Sequence, residues 1–525
     1  MPRPRKRKVR GMNLAKLLAD PLWRLTSGHL YRILPADGQG IIPFQPRPEQ
    51  VAIFKAIYEE GATRILVPKA RRLGMSTAIG VYMADRALWQ PNFRGSLIDQ
   101  NAKDASKKLN EIIKVAIENL PEDILEHLDR ERWNDSHVTL DLSESGPSDI
   151  FAGMNARGGS NDLLWISEWG VIQFEDPKRS SRIRSGALPS ARHGVTIVET
   201  TWAGGQGGDL WELMEPSLTN QANDWRILFF PWWVDPRNVD YEAAIDPTSE
   251  AYFQRISARL EREGIKLTEP QMRWYARERR AQGIWMMREN PTFLDECWSS
   301  PVKGAIYAQS MGEALAQNRI ANFPLAPGAL VHTSWDLGSP ENTTVWYWQV
   351  TGQSIRIIDC DTGLDLKRDD RIAHMMGKGY PLGYHYFPHD AHSQNAEGTT
   401  MAQQFTLGGL PNIRVLPRTH DIWVGINALL ELFPVLEFNE QKCSKGIRAL
   451  NAYRKRDVSM GSAVRDEPVH DWASHPADAL RMMAEAHLNG HFKFAFAGHS
   501  AANNPIKGPS ERRQRRGMKA VTVGN

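Results

Sequence analysis

The side chains best able to do chemistry fall into two groups: cations and hydroxyls near residue 70, and carboxylates scattered beyond residue 330. The first group lies in Pro68-Lys69-Ala70-Arg71-Arg72-Leu73-Gly74-Met75-Ser76-Thr77. A loop of this kind, between a strand and a helix, can hold phosphate because backbone N–H groups and the helix N-terminus point at the anion. Set against G-x-x-x-x-G-K-[ST], Gly74 and Ser76 fit the second glycine and the hydroxyl, and Thr77 adds another hydroxyl. Lys69 replaces the first glycine and Met75 the usual lysine, so Lys69 would have to reach back to the β- and γ-phosphates. Arg71 or Arg72 could stabilise charge on the transferred group. Downstream, Glu168 ends the apolar run LLWIS and can serve as a water-activating base. Ser167 stands where an aspartate commonly sits, which leaves a magnesium ion to Ser76 or to water. Glu199, Thr200 and Thr201 close a third apolar run, VTIV, where they could sense the γ-phosphate and pass its loss onward.

The second group comprises Asp336 in SWDLGS, Asp390 in FPHDAH, and Asp471, His475 and Asp478 in HDWASHPADALR. The last three are spaced i, i+4, i+7 and would share one helix face. Singly, such aspartates form turns or cap helices. Gathering several is electrostatically costly without a cation. Two divalent ions about 3.5–4 Å apart would supply it and activate water for attack on a phosphodiester. Hard oxygen ligands favour Mg²⁺ or Mn²⁺ over zinc. His389 and His392 have no further ligands at zinc spacing. His475 either orients a carboxylate or is structural, and Asp359 and Asp361 are reserve ligands.

The elements that must position these groups can be read from hydrophobic pattern. Residues 64–67, 93–98, 163–166 and 195–198 predict buried strands, and 103–119 an amphipathic helix with Ala105, Leu109, Ile112, Ile113, Ala116 and Ile117 on one stripe. Strands alternating with helices predict a parallel sheet. Beyond residue 328 the pattern changes. Residues 331–335, 344–350 and 354–358 predict three closely joined, hence antiparallel, strands, followed by strands at 384–387 and 412–416. The expected divisions are a basic arm (1–35), a nucleotide-binding domain (36–238), a helical subdomain and linker (239–325), a mixed α/β domain (326–490) and a basic tail (491–525).

Composition sets the outer limits. The chain has 525 residues, 41% hydrophobic and 24% charged, and a net charge of +3. That length suits two or more domains. No run of 18 apolar residues predicts a membrane span, and the basic start lacks the apolar stretch of a secretory signal. Three cysteines, Cys297, Cys360 and Cys443, offer neither a disulfide framework nor a zinc spacing, which fits a reducing cytoplasm. Basic runs at 3–10 and 512–519 could neutralise phosphates of a nucleic acid or remain solvated tails.

Taken together, KARRLGMST, ARGGSNDLLWISEWG at 156–170, VETTWAGG at 198–205, PWW at 231–233 and SHPADALR resemble the motifs of tailed-bacteriophage large terminases. The resemblance spans about residues 40 to 490. It implies an α/β fold, a P-loop ATPase domain with a parallel-rich sheet followed by an RNase H-like mixed α/β nuclease domain. It also implies ATP and Mg²⁺ (or Mn²⁺) as cofactors, metal ligation by Asp336, Asp390 and Asp478, and an adenine-contacting glutamine at Gln45 or Gln50. Implied partners are double-stranded viral DNA, a small terminase subunit and a portal protein carrying a homo-oligomeric ring, in the host cytoplasm and without a membrane. Two other readings compete: a P-loop helicase–nuclease, whose further motifs are absent, and a DNA-binding assembly protein that has lost hydrolysis.

Overall fold

The computed structural model describes residues 14–492, apart from 36–37, 39, 145, 156–158, 220–222, 300–301, 303, 395–397 and 457–466. The two basic runs lie outside the described residues. The chain divides into two compact units, Met1–Pro301 and Val302–Asn525.

The first unit is built on an eight-stranded sheet. Its strands, in chain order, are β1 (Arg64–Pro68), β2 (Arg94–Ile98), β3 (Leu128–Trp133), β4 (His137–Leu142), β5 (Ser148–Gly153), β6 (Leu163–Ser167), β7 (Val195–Thr200) and β8 (Trp225–Ile227). Across the sheet they run β8-β1-β7-β6-β2-β5-β4-β3. The stretch from β8 to β5 is parallel, and β4 and β3 extend it antiparallel. β6 and β7 are buried along their whole length. Unbroken apolar runs with helices on both faces are what a parallel sheet demands. Helix Met75–Trp89 packs into the core on one face, and Trp169, Trp202 and Trp211 fill the other. The helix expected at 103–119 runs from Ala102 to Glu118 with a π-helical turn at Leu109–Lys114. Within the helical stretch at 239–325, helices Pro247–Arg262 and Glu269–Gln282 bury Tyr252, Phe253, Ile256 and Tyr275 in the same core as the sheet. Residues from Val302 onward belong to the second unit.

That unit holds a seven-stranded sheet of β9 (Ile320–Ala321), β10 (Val331–Asp336), β11 (Thr344–Val350), β12 (Ile355–Asp361), β13 (Leu382–Phe387), β14 (Ile413–Val415) and β15 (Leu436–Asn439). Their order is β9-β15-β12-β11-β10-β13-β14. β10, β11 and β12 are antiparallel neighbours, while β13 and β14 join parallel to β10. The three antiparallel strands with parallel neighbours form the mixed α/β arrangement expected of this half. Side chains alternate along β11: Val345 and Tyr347 enter one core, while Trp346 points at helix Ser474–Leu488 and donates from Nε1 to Pro476 O at 2.7 Å. No helix among the described residues is long and apolar enough to cross a membrane.

Trp346 is held so closely that Gly446, in helix Ser444–Ala452, has no room for a side chain. A Cβ there would overlap the Trp346 ring and stand 2.8 Å from Cys360 Sγ. Gly446→Ala gains about 1 kcal/mol of helix propensity but overpacks a buried ring at about 1–3 kcal/mol. We expect net destabilisation of about 1 kcal/mol or more, read by urea titration of the full chain. An unchanged midpoint would mean that the ring yields freely.

Candidate functional site

The carboxyl ends of β1, β7 and β6 lie side by side in the first unit, with Pro68 opposite Thr200 and Ser167 opposite Glu199. Ligands of open parallel sheets bind outside these ends. The loop leaving β1 turns through left-handed backbone at Arg72 (φ 61°) and Gly74 (φ 70°) before helix Met75–Trp89 begins. Glycine suits the second of these turns, and at Arg72 the strain is carried by a residue whose side chain stays exposed.

Lys69 is 7% exposed, and its ammonium lies 3.1 Å from Glu168 Oε1 and 3.2 Å from Glu199 Oε2. Burial alone would strip its proton, but Glu199 and then Glu168 outweigh that and hold the lysine above its ordinary pKa. Glu199 is fully buried. Its Oε1 accepts from Ser76 Oγ at 2.7 Å and Ser167 Oγ at 2.8 Å. Burial pushes Glu199 toward protonation, yet Lys69 and Lys108 keep its pKa below the usual range. Lys108 donates to Asp99 Oδ2 at 2.5 Å and Ser167 Oγ at 2.6 Å, while burial drives Asp99 upward against that partner. Glu168, also in left-handed backbone (φ 55°), accepts through Oε2 from Thr201 N and Oγ1, both at 2.9 Å. Thr200 Oγ1 accepts from Gly170 N at 3.0 Å.

Several expected residues take other places. Met75 is in the hydrophobic core and contributes nothing polar. Gln50 donates from Nε2 to Gly74 O at 2.7 Å and accepts from Arg47 N at 2.9 Å. With both polar ends engaged it braces the loop, and Gln45 lies exposed near Gly28. Arg71 is held outward by Glu289, at 3.3 Å. Thr77 is half-buried at the start of the helix.

In the second unit, Asp336, Asp390 and Asp478 line one cavity of about 700 Å³, with His389, His420 and His470 among its walls. Among the described residues, no three His, Cys, Asp or Glu side chains stand close enough to hold one ion. The expected carboxylate cluster is therefore looser than anticipated, because each acid has its own counter-charge or solvent. Asp336 Oδ2 meets His475 Nδ1 at 2.8 Å. Asp478 pairs with Arg481 at 3.1 Å, and Arg481 also pairs with Glu485. Asp390 is exposed in the turn His389–His392. Burial raises the Asp478 pKa, opposed by Arg481 and reinforced by Asp336; two like charges near each other disfavour ionisation. Oxygen donors around a shared cavity suit a hard divalent ion. Asp471 precedes helix Ser474–Leu488 rather than riding on it, accepts from Ala473 N in the turn that leads into it and pairs with Arg454 at 2.6 Å. The reserve acids Asp359 and Asp361 are neutralised by Lys378 at 2.7 and 2.8 Å and do not line the cavity.

The chain is similar in structure to the large terminase of bacteriophage HK97, at 13% identity over 89% of this chain and 99% of that one, with a TM-score of 0.46. It is also similar to the large terminase ATPase domain of Thermus phage P74-26, at 17% identity over 47% and 93% of the two chains and a TM-score of 0.32. A third likeness is to the large terminase nuclease of thermophilic phage G20c with bound magnesium, at 13%, 35% and 98%, with a TM-score of 0.26. Its structural neighbours are phage large terminases. Neither a family model nor a curated protein matches the chain.

Sequence reasoning missed Lys108, Asp99 and Arg481. Lys108 immediately precedes the apolar stripe of its helix at Leu109, and Asp99 ends β2 as Glu168 follows β6, so strand-end position was the available signal. Arg481 follows Asp478 by one helical turn.

His475 is raised above its ordinary pKa: burial lowers it, but the bond and charge of Asp336 outweigh burial. The imidazole therefore stays protonated to higher pH than a free one, and the pair dissolves as pH rises through that raised value. Asp336→Asn should lower the His475 midpoint in a proton NMR titration. A midpoint unmoved by Asp336→Asn would show that Asp336 does not hold the proton.

Proposed function

We propose that this chain is the large subunit of a phage DNA-packaging motor, hydrolysing ATP to move double-stranded DNA and cutting that DNA by metal-dependent phosphodiester hydrolysis. One observation carries the reading. A buried lysine is held between two carboxylates at adjacent strand ends, directly beside a hydroxyl at a helix N-terminus.

The loop amides and the N-terminus of helix Met75–Trp89 would bind the phosphates. Lys69 would exchange Glu168 and Glu199 for phosphate oxygens, a like-for-like replacement of anion by anion. Glu168, released from Lys69 but still held by Thr201 N and Oγ1, would then orient water and take its proton. Loss of the γ-phosphate would return Lys69 to Glu168 and pull on Thr201, and so on the Gly204–Gly205 turn beyond β7. A magnesium ion, when bound, would neutralise phosphate charge, with Ser76 as one holder. Arg72, exposed at the loop, could stabilise the transferred group.

In the second unit Asp336, Asp390 and Asp478 line one cavity and would have to draw together around Mg²⁺ or Mn²⁺ on binding; the ion would supply activation of water and of the scissile phosphate. His475 would orient Asp336 and Arg481 would orient Asp478. A motor acting on any sequence grips phosphates rather than bases. On this reading a small terminase subunit, a portal and further copies of the chain are the partners, in the host cytoplasm.

The test is a pair of substitutions in the full chain. Lys69→Ala should lower ATP turnover by about 100-fold or more and leave Mg²⁺-dependent DNA cutting intact. Asp390→Ala should do the reverse. Loss of both activities in each folded variant would refute the division of labour.

A further inference from the structure

We propose that Glu199, and neither Ser167 nor Glu168, is the carboxylate that organises the divalent ion of the bound nucleotide. This rests on the ATP-binding reading above and assigns the metal's acidic partner within it.

In a phosphate loop the hydroxyl after the last glycine faces the ion, and an acid from a neighbouring strand completes the arrangement. Here that hydroxyl is Ser76, and the acid bonded to it is Glu199, at 2.7 Å. Ser167 has no charge to offer. Its hydroxyl is spent donating to the same carboxylate oxygen at 2.8 Å and accepting from Lys108 at 2.6 Å. Glu168 is turned away: one oxygen holds Lys69 and the other is taken by Thr201 N and Oγ1. Glu199 Oε2 is different. It is buried, makes no hydrogen bond of its own, and faces the Lys69 ammonium at 3.2 Å. When phosphate draws Lys69 off, this oxygen is left buried with no cation in contact, Lys108 reaching the carboxylate only through Ser167, a state that costs more than a paired one. A divalent ion beside Ser76 restores the balance.

The register explains why an acid can serve from β7. Ser167 and Glu199 are Cα partners across β6 and β7, so moving the carboxylate one strand sideways keeps it level with the usual position. Lys108 and Asp99 complete the far side: Lys108 joins Ser167 to Asp99 and leaves Glu199 as the acid in contact with the loop hydroxyl.

The experiment is ADP binding to the full-length protein by isothermal titration calorimetry, once with Mg²⁺ and once with EDTA. Wild type should bind more tightly with Mg²⁺. Glu199→Gln should lose that enhancement, about 10–100-fold, read as the ratio of its own affinities in the two buffers, so that any change in its metal-free affinity through Lys69 cancels. Ser167→Ala should retain the enhancement. Retention of the full enhancement by folded Glu199→Gln overturns the proposal. So does its loss in Ser167→Ala with Glu199→Gln unaffected. Wild type that binds no ADP in either buffer would instead defeat the ATP-binding reading itself. If Glu199→Gln does not fold, wild type loaded with ADP and Fe²⁺ and treated with ascorbate and peroxide decides the matter. Backbone cuts beside residues 76 and 199 are expected, and cuts confined to the 99 or 168 segments overturn the assignment.

Discussion

An ammonium taken out of water must be given charge in return, and the ends of three parallel strands are arranged to do that for Lys69. The geometry leaves little freedom. Glu168 and Glu199 come from β6 and β7, Lys69 from the residue after β1, and β7 lies between the other two. Removing one partner of such a buried set leaves an uncompensated charge and costs about 3–5 kcal/mol. The three strands are thus tied at their ends by charge as well as along their length by backbone bonds. The same arrangement serves phosphate, since the lysine can trade carboxylate oxygens for phosphoryl oxygens without ever being left bare.

Much of this frame was legible in the residues. β1, β6 and β7 are mainly apolar runs, and such runs between turn signals have few alternatives in a parallel sheet. The three antiparallel strands of the second unit were equally plain. The edge was not: β3 reads LDRERW and is mostly exposed, so its pairing with β4 is a tertiary fact with no apolar alternation to announce it. The helices at 247–282 are legible as helices, but that they pack on the core of the sheet is not, because an apolar stripe says that a helix is buried without saying where.

The site followed the same rule. Chain-local features are legible: Gly74 before the helix, Ser76 in its first turn, an acid after β6. What stayed hidden required knowing which strand ends are neighbours. Glu199 looked like part of a coupling segment because its contact with Ser76 spans 123 residues. Lys108 looked like the polar edge of a helix. The bond from Gln50 to the carbonyl of Gly74 has no signal in the sequence. In the second unit the strand ends and the late helix mark the acids that line the cavity, but not how they tolerate one another. His475 and Arg481 answer that by lending positive charge to Asp336 and Asp478, and a sequence pattern does not show which cation a carboxylate will meet.

The phosphate loop is held from behind. Arg47 donates to Leu73 O and to Asp235 Oδ2, Gln50 donates to Gly74 O, and Arg237 reaches both Asp235 and the carbonyl of Arg72. Three successive carbonyls are thereby drawn to the rear. On the proposed reading, a triphosphate arriving at the mouth would meet a receptor already shaped, so little affinity would be lost to ordering it. The brace would then also work as a lever: a pull on residues 235–237 would be felt first at the grip on the nucleotide.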